Sequence, residues 1–387
     1  MDRNNNDRLQ RADLQGTWAM EANEALEGTT GEERDEARRL YGLEPAESIR
    51  DRKMSLFARG WWGTTSQTFG GAKYLEDARE LGGQDVVFLG APYDGGTTYR
   101  PGTRFGPEAL RRVGTSSFNP GFGVDLNRSL VSADLGNIQV IPSNLEKSFD
   151  QIAKALAFVA EREVFPVVLG GDHAIGYPDV RGISPYIDGN IGIIHFDRHA
   201  DLSEDSLDER MHGSPFFHAT NIPNAPPSNL VQIGIGGWSS APEWFKTARE
   251  RNATMITIDD IDRYGMERVL EYALEVAWKN AKAVWLSFDI DSVDPAFAPG
   301  TGTPVAGGLT PREVLYMLRG IAREGLVGME IVEVSPPYDV ADITTLLGVT
   351  VIREVLGSLV VAGKLGRKPK DMPEEPYRIP ALERREQ

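Results

Sequence analysis

The sequence predicts an α/β domain in which helices cover both faces of a parallel sheet. Three observations carry this expectation. From Asp85 onward, short and nearly continuous apolar runs recur, amphipathic helical patterns separate them, and polar clusters close several of the runs. A strand buried on both faces reads as an unbroken apolar run, and regular strand–helix alternation is the pattern of parallel sheets. Strands are expected at Asp85–Gly90, Pro166–Gly170, Ile191–Asp197, Leu230–Ile235, Met255–Ile258, Ala283–Asp289 and Gly328–Val334. Helices are expected at Pro107–Val113, Leu145–Arg162, Met266–Asn280, Pro311–Glu324 and Asp342–Gly363. Thr310 and Asp342 suit N-cap positions, and Pro311 suits the first helical position. The longest apolar stretch, Ile343 to Gly363, carries Arg353 and Glu354 and reads as a buried or amphipathic helix, not a membrane span.

The ends of the chain differ from its middle. Residues 1–80 are expected to form an extension: Glu21–Leu43 is rich in Glu, Arg, Ala and Leu, and Trp61 and Trp62 lie between glycines. Its aromatics indicate packing on the main domain or on a neighbouring subunit, since disordered segments are poor in them. Residues 81–363 form the expected catalytic domain, and the charged tail 364–387 is a surface strap or disordered.

With 387 residues, 41% of them hydrophobic, the chain has the composition of a globular protein. It has no cysteine, which removes disulfides, thiolate ligands and cysteine nucleophiles together. The net charge of −16 argues against nucleic-acid and anionic-membrane partners and favours cationic ligands. No apolar run follows a basic start, so a cytoplasmic location is the expectation.

Three polar clusters at strand ends carry the chemistry: Gly170-Gly171-Asp172-His173, His195-Phe196-Asp197-Arg198-His199-Ala200-Asp201, and Ser287-Phe288-Asp289-Ile290-Asp291. Ligands of open parallel sheets bind beyond the carboxyl ends of the strands, where these clusters fall. Extended residues two apart project to one side, so Asp197, His199 and Asp201 are expected to converge by strand parity. Two histidines and four aspartates exceed the three protein ligands of a catalytic zinc site and suit two divalent ions sharing carboxylates. An oxygen-rich, sulfur-free donor set favours Mn²⁺, with Ni²⁺ or Co²⁺ as options. Without a cation, such a buried carboxylate cluster is very costly. His195 reads as a supporting or core residue, and Asp294, before Pro295, as a turn residue.

The motifs GGDH, HFDRHAD and SFDIDSVDPAFAPGTGTP resemble the metal-binding signatures of the ureohydrolase (arginase/agmatinase) family, in that family's order. APYDGGTTYRPGTRFGPEALR resembles its first strand and following loop, and EIVEVSPPYD its late acidic motif. The resemblance spans roughly residues 85–363. It implies a three-layer α/β/α sandwich with a mainly parallel eight-stranded sheet, assembled as trimers or hexamers. It implies His173, Asp197, His199, Asp201, Asp289 and Asp291 as ligands of two metal ions. His212, in a His-Gly motif, is implied as the proton shuttle to the leaving amine, and Glu333 as the carboxylate that pairs with a small cationic guanidino substrate. Glu330 competes for that second role. Asp201 is expected to orient the attacking oxygen.

Arg198 stands where the family usually has alanine. The Leu202–Met211 loop copies no arginase arrangement, which disfavours arginine as substrate. The long extension with Trp61 and Trp62, and Thr97-Thr98 after Asp94, more closely resemble the nickel-dependent guanidine hydrolase branch. Free guanidine on Ni²⁺, with Thr97 contacting the substrate, is therefore the expectation, and agmatine or Mn²⁺ the alternative. A hydrolase of formimino or ureido groups, or a silent metal-binding member, completes the alternatives.

Overall fold

A computed structural model describes residues 56–57, 67–114, 116–204, 210–238 and 241–370. The expected helical segment 21–43, Trp61, Trp62, residues 205–209 of the Leu202–Met211 loop and the tail beyond residue 370 lie outside the described residues.

Among the described residues, nine strands form one sheet. They are β1 (Lys73–Tyr74), β2 (Val86–Ala91), β5 (Ser132–Asn137), β6 (Phe165–Gly170), β7 (Asn190–Phe196), β8 (Leu230–Ile235), β9 (Thr254–Thr257), β10 (Ala281–Asp289) and β11 (Gly328–Val332). A separate two-stranded ribbon pairs β3 (Phe118–Asn119) with β4 (Val124–Asp125). The large sheet runs β1-β5-β2-β6-β11-β10-β7-β8-β9, and each of its pairings is parallel. It exceeds the expected eight strands because Lys73 and Tyr74, inside the expected extension, add a two-residue strand beside β5. Phe57 and Phe69, also from that segment, are buried, and Phe69 stacks on Phe88 of β2 with ring centroids 4.4 Å apart.

Period-2 alternation divides the core into two apolar layers. Val86 and Phe88 of β2, Val167 and Leu169 of β6, and Ile194 and Phe196 of β7 face one layer. That layer is closed by helices α8 (Met266–Trp278), α9 (Pro311–Glu324) and α10 (Ile343–Val361). Val87, Leu89, Val168, Ile191 and Ile193 face the other layer, with α3 (Leu145–Ala160), α4 (Gly176–Ile183) and α5 (Pro215–Ala219). The result is the expected three-layer sandwich. Helix α10 is long and apolar enough to cross a membrane, yet Val349, Val351, Ile352, Val355 and Leu356 are buried in the core.

Local signals explain most boundaries. Thr310 caps α9 in a reciprocal box with Glu313, and Pro311 occupies its first turn. Asp342 is a correction. It flanks α10 but makes no side-chain cap; its carboxylate pairs with Arg112. Asp339 takes the capping role, accepting from the amides of Thr344 and Thr345. Strand β5 escapes the apolar-run criterion because Asp134 sits inside it. That buried carboxylate is balanced by Arg111, whose Nε and Nη2 donate to it at 2.9 Å each.

Candidate active site

Strands β6, β11, β10 and β7 are neighbours in the sheet and all parallel, so their carboxyl ends open on the same side. His173 follows β6, Glu333 follows β11, Asp289 ends β10, and the segment Asp197–Asp201 follows β7. Topology thus brings together residues 160 positions apart: the His173 amide donates to Glu333 Oε1 at 2.9 Å.

The six expected donors converge in two groups. Around His173 Nδ1 lie Asp197 Oδ2 at 3.1 Å, Asp201 Oδ2 at 3.0 Å and Asp289 Oδ2 at 3.1 Å. Around His199 Nδ1 lie Asp197 Oδ1 and Asp291 Oδ2, both at 3.2 Å. Asp197 therefore gives one oxygen to each group. Donors at right angles around one ion about 2.1 Å from each would be about 3.0 Å apart. His173 Nδ1 is buried and makes no hydrogen bond, while its Nε2 is 2.8 Å from Ser287 Oγ. A lone pair and three carboxylate oxygens directed at one point are the arrangement a divalent cation requires, and the donor set fits one.

Electrostatics agree with that fit. Burial, followed by repulsion from Asp291 and Asp197, drives the Asp289 pKa well above the ordinary carboxylate value. Burial and Asp197 raise Asp201 to about 6. Burial penalises a charged His173 ring, but Asp197, Asp201 and Asp289 overcome it and raise its pKa well above the usual value. A protein that buries four mutually repelling carboxylates needs compensating positive charge.

The convergence does not come from strand parity. Strand β7 ends at Phe196, and Asp201 lies in the left-handed region with φ 48°. Asp289 accepts the Asp291 amide at 2.7 Å, so a turn, not extension, aligns these two. His195 supports Asp197: its Nε2 is 2.8 Å from Asp197 Oδ2, and its Nδ1 faces the Gln232 amide nitrogen at 2.9 Å. Burial lowers the His195 pKa to about 4 against the pull of Asp197, so the ring is neutral at physiological pH. Asp294 is a turn residue, accepting the amides of Ala296 and Gly307.

Beside the donors, His212 Nδ1 is 3.0 Å from Glu333 Oε1, and its Nε2 faces Thr98, with Oγ1 at 2.6 Å and the amide nitrogen at 3.1 Å. The Thr98 amide can only donate, so in the neutral ring His212 Nε2 accepts and the proton sits on Nδ1, toward Glu333. Burial works against a charged His212, but Glu333, with Asp172 and Asp201 behind it, lifts its pKa to about 9. Glu333 itself sits at φ 61°; Oε1 is engaged, while Oε2 is buried without a hydrogen-bond partner. Glu330 does not compete. It points from β11 to the far side of His173, 4.0 Å from Nε2, where it and Asp179 are a buried pair of carboxyl groups. Thr97 is turned toward Asp172, with Oγ1 at 3.5 Å from Oδ2.

The sequence profile of the arginase family matches residues 84–357. The chain belongs to the arginase family. It is 37% identical over 281 residues to the mitochondrial guanidino acid hydrolase of Homo sapiens, covering 72% of this chain and 79% of that protein. The mitochondrial agmatinase of Gallus gallus is also 37% identical, over 278 residues, covering 71% of this chain and 81% of that protein. Among solved structures, proclavaminate amidinohydrolase from Streptomyces clavuligerus superposes with a TM-score of 0.70 at 32% identity, covering 80% of this chain and all of that one. In this arginase-family chain, the supporting contacts of Thr98, Ser287, Gln232 and Asp172 were not singled out from the sequence. Thr98, Ser287 and Asp172 lie inside the quoted motifs, and Gln232 lies outside them; all four act through hydrogen bonds that no spacing rule exposes.

Proposed function

We propose that this arginase-family protein hydrolyses the C–N bond of a guanidinium group and releases urea, with free guanidine as the substrate and ammonia as the second product. The observation that carries the reading is the buried, unpartnered Glu333 Oε2 beside the donor cluster. A buried acceptor left unsatisfied costs about 1–3 kcal/mol, and a guanidinium N–H satisfies it with a charge-assisted bond. In this reading His173, Asp197, Asp201 and Asp289 hold one divalent ion, and Asp197, His199 and Asp291 hold the other, nickel being proposed ahead of manganese. When bound, the pair supplies Lewis-acid activation of a water at neutral pH.

The chain's own residues do the rest. Glu333 fixes the guanidinium so that its carbon faces the donor cluster. The Asp201 carboxylate accepts a hydrogen bond from the attacking water and aims it. His212, held by Glu333 and Thr98, delivers a proton to the departing nitrogen; against the effect of burial, Glu333 raises its pKa to about 9, so the ring carries that proton at neutral pH. Free guanidine is supported by confinement. A Cβ at Gly302 would be 3.7 Å from Glu333 Oε2 and 2.8 Å from the Arg100 carbonyl, so Gly302 comes close to the free oxygen with the Arg100 main chain packed against it. Thr97 enters this reading as a wall of the pocket. A cytoplasmic homotrimer or homohexamer completes the proposal.

The names of the relatives favour a second reading, in which the guanidinium carries an alkyl tail ending in a carboxylate or an amine. A urea-release panel of guanidine, agmatine, arginine and guanidinobutyrate, each with Ni²⁺ and with Mn²⁺, separates the two. The expected result is the highest kcat/KM on guanidine with Ni²⁺. A higher value on a tailed compound overturns the choice of substrate, and no urea from any of them overturns the reaction.

A further inference from the structure

Arg198 stands between Asp197 and His199, and the mechanism above makes no use of it. Its residue is only 2% exposed, which is rare for a side chain that is always charged. Among the described residues it finds no carboxylate partner within ion-pair distance. Instead its fork grips main-chain carbonyls: Nη1 donates to Gly234 O at 2.7 Å and Nη2 to Ala306 O at 3.2 Å. Those carbonyls belong to two separate segments, the end of β8 and the 305–308 loop. The main chain joins the same contact, since the Gly236 amide donates to the Arg198 carbonyl at 3.2 Å. Glycines keep the space open. A Cβ at Gly237 would be 3.0 Å from Arg198 Nη2, and one at Gly234 would be 3.0 Å from the Asp197 carbonyl.

We propose that Arg198 is a positioning residue: by bridging the Gly234 and Ala306 carbonyls it clamps the turn carrying Asp197 and His199, and so holds the His199–Asp291 donor group in binding geometry. Asp197 is also held by His195, and His173 stands on Ser287 after another strand. The His199 amide donates to Asp197 Oδ1 at 2.6 Å and its ring meets Trp244 edge-on with centroids 6.4 Å apart, so its position follows the turn that Arg198 anchors. Supporting residues of this kind typically change metal affinity by about 10–100-fold. The inference rests on the two-cation reading of the site, and the experiment separates the two.

Metal-free wild type, Arg198→Lys and Arg198→Met are dialysed against graded Mn²⁺, and bound metal is counted by elemental analysis. Electron paramagnetic resonance reports whether the two ions form a coupled pair. Lysine keeps the charge and loses the fork. Both variants are expected to retain the first ion and to bind the second about 10–100-fold more weakly, without the coupled-pair signal at Mn²⁺ concentrations that give it in wild type. Hydrogen exchange in the metal-free proteins should quicken at the amides of His199 and Gly236 and stay unchanged in the core strands. A variant that binds both ions with wild-type affinity overturns the proposal, as does tighter binding by Arg198→Met, which would mean that charge and not grip matters. A lysine variant that fails to fold also overturns it, by placing Arg198 in the folding core. Wild type that never takes two ions refutes the binuclear reading itself, whatever the variants do.

Discussion

Replacing Glu333 by glutamine tests the carboxylate proposed to hold the guanidinium. Its Oε1 holds the His173 amide and His212 Nδ1, and its Oε2 is free. Glutamine has nearly the same shape, and its amide oxygen can keep the Oε1 contacts. The amide nitrogen then occupies the Oε2 position and points N–H groups at the N–H groups of the substrate. Losing a charge-assisted hydrogen bond costs about 1.5–3 kcal/mol, and leaving the opposed donors unsatisfied adds about 1–3 kcal/mol. Together, about 2.5–6 kcal/mol of transition-state stabilisation disappears, which at about 1.4 kcal/mol per decade is a loss of about 10²–10⁴ in kcat/KM. Metal content should be unchanged, because Glu333 belongs to neither donor group. His212 loses the neighbour that raises its pKa, so any residual activity should fall off at a lower pH than in wild type. The assay is urea release across pH with metal analysis of the same samples. A Glu333→Gln enzyme within threefold of wild type, with both ions bound, refutes the reasoning.

Three further outcomes follow from the same geometry. Asp289→Ala removes an oxygen 3.1 Å from His173 Nδ1, so metal content and urea release should fall together; full activity with intact metal contradicts the assignment. His212→Ala should keep its metal and lose about 10²–10⁴ in turnover. Wild-type activity should decline as pH rises toward about 9, where His212 gives up its proton, and a limb of unchanged position in the variant would remove His212 from the proton transfer. Asp201→Asn should stabilise the metal-free protein. Burial and Asp197 raise the folded-state pKa of Asp201 to about 6 from its ordinary 3.8, so the stability its protonated form contributes is complete below the unfolded value and is lost as pH rises through about 6. With chelator present, the variant should unfold a few degrees above wild type at pH 7.5 and gain nothing at pH 4; added cation should stabilise it less than wild type. A variant less stable than wild type at pH 7.5 without metal contradicts the charge argument.

Much of this was readable in the sequence because parallel strands announce themselves as unbroken apolar runs, and the chemistry follows directly where each run stops. Seven of the nine sheet strands fell on such runs, and the six donors fell at their ends. Ser132–Asn137 did not, because Asp134 and Gly136 break the pattern while Arg111 restores the balance from a distant helix. Convergence of Asp197, His199 and Asp201 was right, and the reason for it, strand parity, was not. Side-chain direction after Phe196 is set by the Asp201 backbone and by hydrogen bonds from His199 and His195 to Asp197, which arise only in the fold. The adjacent threonines show the same limit. Thr97 and Thr98 are indistinguishable by type and position, and only the loop's path gives Asp172 to one and His212 to the other.

The backbone at two of the catalytic candidates bears on why the site is built this way. Asp201 and Glu333 both have positive φ, at 48° and 61°. Non-glycine residues in sparsely populated regions cost about 1–3 kcal/mol each and persist where surrounding contacts enforce them. Here the contacts can be named. The Asp201 carbonyl receives the Phe216 amide of helix α5, and the Glu333 amide donates to the Gly171 carbonyl after β6, each tying the strained residue to a neighbouring segment. A relaxed extension of β11 would carry Glu333 onward along the strand, where alternation sends side chains to the two layers of the core and not over the strand ends. The left-handed turn instead redirects its carboxylate across the mouth of the sheet to His212 and the His173 amide. Strain at Glu333 and mutual repulsion among the aspartates are therefore two costs of one arrangement; in the proposed reading a cation offsets the repulsion and a guanidinium satisfies the free Glu333 oxygen that the strained turn presents.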